Sequence, residues 1–369
     1  METLHVSRRR FLLSCAAGGW LPALCGAAAA AAPQEVPWLD EVQRAPAKLP
    51  RDVPKLGPLL IDQNGRPIAT LEAWKPKQEQ LRRWWLDFLK PWTTGPAAPP
   101  KLAVVEEDQA RGVVRQLVRY EVEPGLPVEA YLIKPAHAQG RLPGVVVLHS
   151  TVKESIRQPA GVEGAAEKAF GLLLAQRGCV TLCPRNFLWP ETKRIDTAST
   201  VKQLNERHPG SKGMAKMLYD AMVAVDILAA LPEVDPQRLG AIGHSLGAKE
   251  SLYLAAFDQR IRVAVSSEGG IGTRFSNWEA PWYLGAEIRD PGFQHEHHEV
   301  LALVAPRPFL LLGGDSADGD RSWPFIEAVL PVYKLYGGTA RVGLFNHRKG
   351  HSVPPEAEAR VYQWFEAYL

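Results

Sequence analysis

The chain has 369 residues, 46% of them hydrophobic and 22% charged, a composition that builds a full core and excludes a disordered polymer. Its formal charge of +3 falls to +1 without Glu2, Arg8, Arg9 and Arg10, which leaves no electrostatic case for a nucleic-acid partner or an anionic membrane surface. Beyond the first 32 residues only Cys179 and Cys183 remain, and four apart in an extended segment they stand about 13 Å from each other, too far to form a disulfide.

Residues 1–32 read as a twin-arginine-type signal peptide. Ser7-Arg8-Arg9-Arg10-Phe11-Leu12 precedes a weakly apolar Ala/Gly run, and Ala27 to Ala32 offer small-residue cleavage positions. The mature chain is therefore expected in the periplasm or outside the cell, with no membrane association after cleavage. Residues 33–100 read as an N-terminal leader and helix packed on the core. Leu71 to Trp92 carries Trp84, Trp85, Phe88 and Leu89 on one broad helical face, and TTGPAAPP (93–100) stops it. Residues 101–369 form the main domain. VVRQLVRYEV (113–122) and LPVEAYLIKP (126–135), joined at Glu123-Pro124-Gly125, predict an antiparallel pair.

The pattern then changes to short apolar strands separated by helices. GVVVLHS (144–150) is a β-branched run expected to be covered on both faces. A helical stretch at 165–178 leads to CVTLCP (179–184), a long helix at 212–231, strand RLGAIGHS (238–245) and helix LGAKESLYLAAF (246–257). RVAVSSE (262–268), PFLLLGG (308–314), a helix at 323–337, ARVGLFN (340–346) and a closing helix at 354–369 complete the series. This alternation predicts an α/β fold with a doubly wound, mostly parallel sheet and an antiparallel N-terminal hairpin.

Gly243-His244-Ser245-Leu246-Gly247 lies at a strand-to-helix junction. A sharp turn there would expose the Ser245 hydroxyl as a nucleophile, and the glycines would let strand and helix pack closely. The Leu246 N–H, at the helix start, is an expected oxyanion donor. The second donor is expected after GVVVLHS, from the backbone N–H of Ser150 or Thr151. Chain order of nucleophile, acid and histidine places the base in GLFNHRKGHS, with His351 preferred and His347 the alternate. The loop after PFLLLGG offers Asp318, Asp315 and Asp320 in that order of preference. Glu268, just past the preceding strand, competes with them.

VDPQRLGAIGHSLGAKESLYLAAFD, LHSTVKE, ALVAPRPFLLLGG and GHSVPPEAEARVYQWF together resemble the dienelactone-hydrolase-like and acetyl-xylan-esterase-like α/β-hydrolases over roughly residues 70–369. The last three stretches also resemble glucuronoyl esterases. Those enzymes carry arginine after the nucleophile where this chain has Leu246, whereas Glu268-Gly269-Gly270 is similar to their acid segment. The resemblance implies the α/β-hydrolase fold and a serine carboxylic ester hydrolase, with a small-molecule or polysaccharide ester as substrate and no cofactor.

Arg185, at the end of CVTLCPR, is a candidate contact for a substrate carboxylate or carbonyl, with a structural ion pair as the other reading. Trp189, Trp278, Trp282 and Trp323 fall beyond strand ends, where aromatic faces suit sugar rings or fill a lid. His295-Glu296-His297-His298-Glu299 lacks the H-E-x-x-H spacing, and no metal site is expected. A catalytically silent binding module and a prolyl-oligopeptidase-type peptidase are the competing functional classes. The first would normally have lost a triad member, and the second usually carries a propeller too large for this leader.

Overall fold

A computed structural model describes residues 35–51, 53–92, 98–137 and 139–369, so the signal-peptide reading of residues 1–32 lies outside the described residues. Nine strands form one sheet: β1 (Ala103–Ala110), β2 (Val113–Glu123), β3 (Leu126–Pro135), β4 (Leu142–Leu148), β5 (Val180–Pro184), β6 (Val234–His244), β7 (Ile261–Ser267), β8 (Phe309–Gly313) and β9 (Val342–Asn346). Their spatial order is β1-β2-β3-β5-β4-β6-β7-β8-β9. The β1–β2, β2–β3 and β3–β5 pairs are antiparallel, and every pair from β5 through β9 is parallel.

The expected hairpin is present as β2 and β3, but it is extended by β1, which the sequence pattern did not reveal. AVVEEDQA is exposed along almost its whole length, so no buried alternate positions mark it as a strand. Charged Glu106, Glu107 and Asp108 suit an open sheet edge. In the interior, Val145, Val146 and Val147 of β4 are fully buried, as expected for a strand covered on both faces.

The helices are α1 (Leu39–Val42), α2 (Leu71–Leu89), α3 (Phe170–Ala175), α4 (Thr197–Arg207), α5 (Gly213–Ala230), α6 (Leu246–Phe257), α7 (His297–Ala302), α8 (Trp323–Lys334) and α9 (Pro355–Tyr368). Helix α2 starts where the Thr70 hydroxyl accepts from the Ala73 N–H at 3.2 Å. It ends three residues earlier than expected, because Lys90 turns left-handed before Pro91. The expected helix at 165–178 is shorter in the structure. Cys179 and Cys183 are buried free thiols, and burial pushes Cys179 up to about 12, so neither is a reactive thiolate. No helix among the described residues is long and apolar enough to cross a membrane.

The parallel strands all end on one side of the sheet. At that edge the chain leaves β4, β5, β6, β7, β8 and β9 in successive loops, and the candidate site residues are there.

Candidate active site

Ser245 joins β6 directly to α6 with φ 59° and ψ −113°, a conformation that strains any side-chain-bearing residue. The surroundings hold it there. Ser245 N–H donates to the Ser267 carbonyl at 2.8 Å. A Cβ on Gly243 would collide with the Gly247 backbone, and one on Gly247 with the Leu148 carbonyl, so both glycines are required by contact. The Ser245 hydroxyl caps nothing and stays half-buried at the helix start.

His351 lies in the loop between β9 and α9, with 40% of its side chain exposed. Its ring is 4.6 Å, centroid to centroid, from that of His244, the residue before Ser245. The Lys168 ammonium donates to the His351 carbonyl at 2.9 Å and tethers the loop. Gly350 N–H donates to Gly314 O at 2.7 Å, and a side chain on Gly314 would strike Gly350 and His347.

The carboxylate beside His351 is Glu268. Its Oε2 lies 3.2 Å from His351 Nδ1, and its side chain is fully buried. It sits just past β7 at φ 56° and accepts the backbone N–H groups of Gly314 and, at 2.7 Å, Ala317. The preferred acid of the sequence reading, Asp318, is placed elsewhere. Its carboxylate accepts from Gly270 N–H at 2.7 Å, Ile271 N–H at 2.8 Å and Ser322 Oγ at 2.8 Å, tying the loop after β8 to the loop after β7. Burial raises its pKa. Asp315 is exposed and accepts from Asn346 Nδ2 at 2.7 Å. Asp320, the third candidate acid, accepts from Asn346 Nδ2 at 2.8 Å and pairs with Arg348 at 2.9 Å. His347 Nδ1 accepts from Lys349 N–H at 3.2 Å, and burial lowers its pKa.

Leu246 begins α6, a twelve-residue helix whose first N–H groups lack partners within the helix. Ser150 is buried and Thr151 exposed in the loop after β4.

The expected substrate contacts fare less well. Arg185 pairs at 3.3 Å with Glu129, a carboxylate that Arg119 also meets at 2.8 Å, and its backbone N–H donates to Glu129 O at 2.9 Å, so its guanidinium is engaged in a structural ion pair. Trp189, Trp278 and Trp323 are buried and present no open face, whereas Trp282 is half-buried. Trp278 Nε1 donates to Gly270 O at 2.7 Å.

Lys249 is the charged residue that the sequence reading missed. It lies one turn along α6 from Ser245, is 4% exposed, and has its ammonium 4.2 Å from the Trp278 ring centre and 4.7 Å from that of Tyr283. Asn277 Oδ1 is 3.5 Å away. Burial pushes the ammonium down to about 7. The spacing of four from the serine was a readable signal.

The histidine-rich run is structural. His295 bonds Glu299 at 2.7 Å and stacks on Trp84. His297 bridges Ile271 O at 2.7 Å and Tyr253 OH at 2.9 Å, and His298 meets Gly57 O at 2.9 Å. Burial pushes His297 down to about 3, so it is neutral. Among the described residues no group of three or more His, Cys, Asp or Glu side chains could hold a metal ion.

Residues 128–295, from β3 past the elbow to the histidine run, match the dienelactone hydrolase family. A relative in Bacillus subtilis (strain 168), YtaP, a hydrolase by name, is 26% identical over 195 residues. That alignment takes in 50% of this chain and 64% of YtaP. Carbohydrate esterase MZ0003, from an unknown prokaryotic organism, is 22% identical over 144 residues, 34% of this chain and 33% of that protein. The chain thus aligns with less than two thirds of either relative. Among solved structures, the glucuronoyl esterase from Solibacter usitatus superposes with a TM-score of 0.65 at 19% identity, covering 86% of this chain and 98% of that one. At that identity the superposition establishes the α/β-hydrolase architecture, and no more.

Proposed function

We propose that the protein is a serine carboxylic ester hydrolase acting on a carbohydrate ester, with Ser245 as nucleophile, His351 as base and Glu268 as the acid. The observation that carries this reading is the buried Glu268 carboxylate on Nδ1 of His351. That contact leaves Nε2 as the lone-pair nitrogen, free to take the Ser245 proton. Serine Oγ attacks the ester carbonyl, its proton passes to His351, and the carbonyl oxygen becomes an oxyanion. The Leu246 N–H at the positive end of α6 and an N–H from Ser150 or Thr151 stabilise that charge. Collapse expels the alcohol, which takes the proton from imidazolium and leaves an acyl-serine. Water, deprotonated by His351, then releases the acid and restores the serine. Glu268 holds the ring and offsets the imidazolium charge, and its two backbone donors keep it aimed at His351.

Support for a hydrolase comes from the family match, and support for a carbohydrate ester from a relative named as a carbohydrate esterase. A glucuronoyl-esterase-like variant of this reading gains from the acid's position after β7 and from Lys249, which replaces Arg185 as the buried cation near the nucleophile. A fluorophosphonate probe tests the mechanism: it should label the wild type and not Ser245→Ala. A folded protein that stays unlabelled favours a binding module. Rates on p-nitrophenyl acetate, acetylated xylan and methyl glucuronate esters then identify the acyl and alcohol groups. Export by the twin-arginine route belongs to the same reading. Lysine at both Arg8 and Arg9 should hold the precursor in the cytoplasm, and unchanged export removes that element.

A further inference from the structure

The loop after β4 is held by a chain of hydrogen bonds that the mechanism above does not use. His149 is 2% exposed, with Nδ1 2.8 Å from the Ser150 carbonyl oxygen and Nε2 3.0 Å from the Asn186 backbone nitrogen. A backbone N–H can only donate, so Nε2 is the lone-pair nitrogen and Nδ1 carries the proton. Burial pushes the imidazole down to about 4, so this tautomer persists across the neutral range. Asn186 is fixed in turn: its Oδ1 accepts from Leu188 N–H at 3.0 Å, and its Nδ2 donates to Glu250 Oε1 at 3.0 Å. Glu250 belongs to α6, five residues after Ser245.

The Ser150 carbonyl accepts a second bond, from Val152 N–H at 2.9 Å, which closes a three-residue turn about Thr151. In a trans peptide the carbonyl and the following N–H point opposite ways. A Ser150 carbonyl drawn onto His149 therefore sends the Thr151 N–H away from the buried network. That N–H finds no acceptor among the hydrogen bonds of the described residues.

We propose that His149 is a positioning residue whose Nδ1–H sets the Ser150–Thr151 peptide so that the Thr151 N–H, rather than that of Ser150, meets the oxyanion. Asn186 and Glu250 tie this setting to the nucleophile's own helix. The inference rests on the ester-hydrolase reading and goes beyond it by choosing the donor and naming what orients it.

Two substitutions separate the halves of the imidazole. His149→Asn puts an amide donor near the place of Nδ1, and His149→Gln puts an amide near the place of Nε2. The readout is kcat per site, titrated with fluorophosphonate, on p-nitrophenyl acetate and on its thiono analogue. Sulfur accepts hydrogen bonds poorly, so the oxo-to-thiono ratio reports on the oxyanion donors. His149→Gln should lose about tenfold or more in kcat at unchanged KM, with the ratio falling, and His149→Asn should recover most of both. Equal behaviour of the two variants, or an unmoved ratio, overturns the inference. If His149→Gln does not fold, Asn186→Ala carries the test: a smaller fall in the ratio supports the proposal, and none overturns it. A wild type inert to ester and probe alike overturns the ester-hydrolase reading and the inference with it. An active wild type with unmoved ratios overturns the inference alone.

Discussion

The loops leaving β7 and β8 both carry an acid in the left-handed region, Glu268 at φ 56° and Asp315 at φ 63°. The backbone device is the same and the outcomes are opposite. Glu268 turns inward, loses all contact with solvent, and receives two backbone N–H groups and the His351 ring. Asp315 keeps 46% of its side chain exposed and meets Asn346 and Arg348 at the surface. What separates them is the neighbouring loop. Gly314 and Ala317, leaving β8, present amide donors toward the end of β7. Asp315 instead faces the end of β9, the last strand of the sheet. An orienting carboxylate needs donors already in place, because a buried charge without them would protonate instead.

The strongest test of this contrast is Glu268→Gln. It keeps the shape and removes the charge that offsets the imidazolium, so kcat should fall about a thousandfold or more with KM little changed. Comparable kcat in variant and wild type, per site titrated with fluorophosphonate, would return the triad acid to the loop after β8. Asp318→Asn sharpens the comparison from the other side. It turns an amide NH₂ toward groups that now donate to a carboxylate, and should cost about 1–3 kcal/mol of stability. Urea unfolding measures that loss, while kcat per titrated site should stay close to wild type.

Much of this was legible in the sequence, and the failures have physical causes. The elbow was readable because glycine at 243 and 247 is demanded by backbone contact, and contact of that kind leaves only one residue type possible. The place of His351 was readable because it falls in the loop between the last strand and the last helix. Which carboxylate meets its ring was not. Asp315, Asp318 and Asp320 crowd one loop, and no periodicity says which side chain faces inward, whereas Glu268 lies after the strand before. Side-chain direction there depends on φ and on donors from a segment about fifty residues away. The tryptophans misled for a related reason, since a position beyond a strand end does not distinguish an open face from a lid's core.

Lys249 extends the contrast to a buried cation. Its folded pKa is lowered to about 7, below the roughly 10.4 of an unfolded lysine. Between those values the unfolded chain binds the extra proton, so stability should rise with pH across that window, by at most about 1.4 kcal/mol per pH unit. Burial also raises the Glu250 carboxyl to about 8, which works in the opposite direction below that pH. The cleanest interval is therefore pH 8 to 10. Lys249→Met should flatten the rise there and make the protein more stable near pH 7, by about 1 kcal/mol or more. Unfolding curves at several pH values give the slopes, and parallel slopes in the two proteins would show that burial does not lower the Lys249 ammonium.

The smallest expected effect belongs to the outward acid. Asp315 meets Arg348 only at 3.7 Å, with 57% of the arginine side chain exposed, and surface pairs of that kind contribute little. Asparagine tolerates the left-handed conformation as well as aspartate does. Asp315→Asn should therefore stay within about 0.5 kcal/mol of wild type in stability and keep kcat. Asp315→Ala removes that tolerance and should lose about 1 kcal/mol through backbone strain alone, still without loss of kcat. Glu268 shares the backbone conformation but not the exposure, so Glu268→Ala should lose both stability and kcat. If Asp315→Asn lowers kcat as Glu268→Gln does, charge near the loop rather than contact with His351 governs the base, and burial is not what distinguishes the two acids.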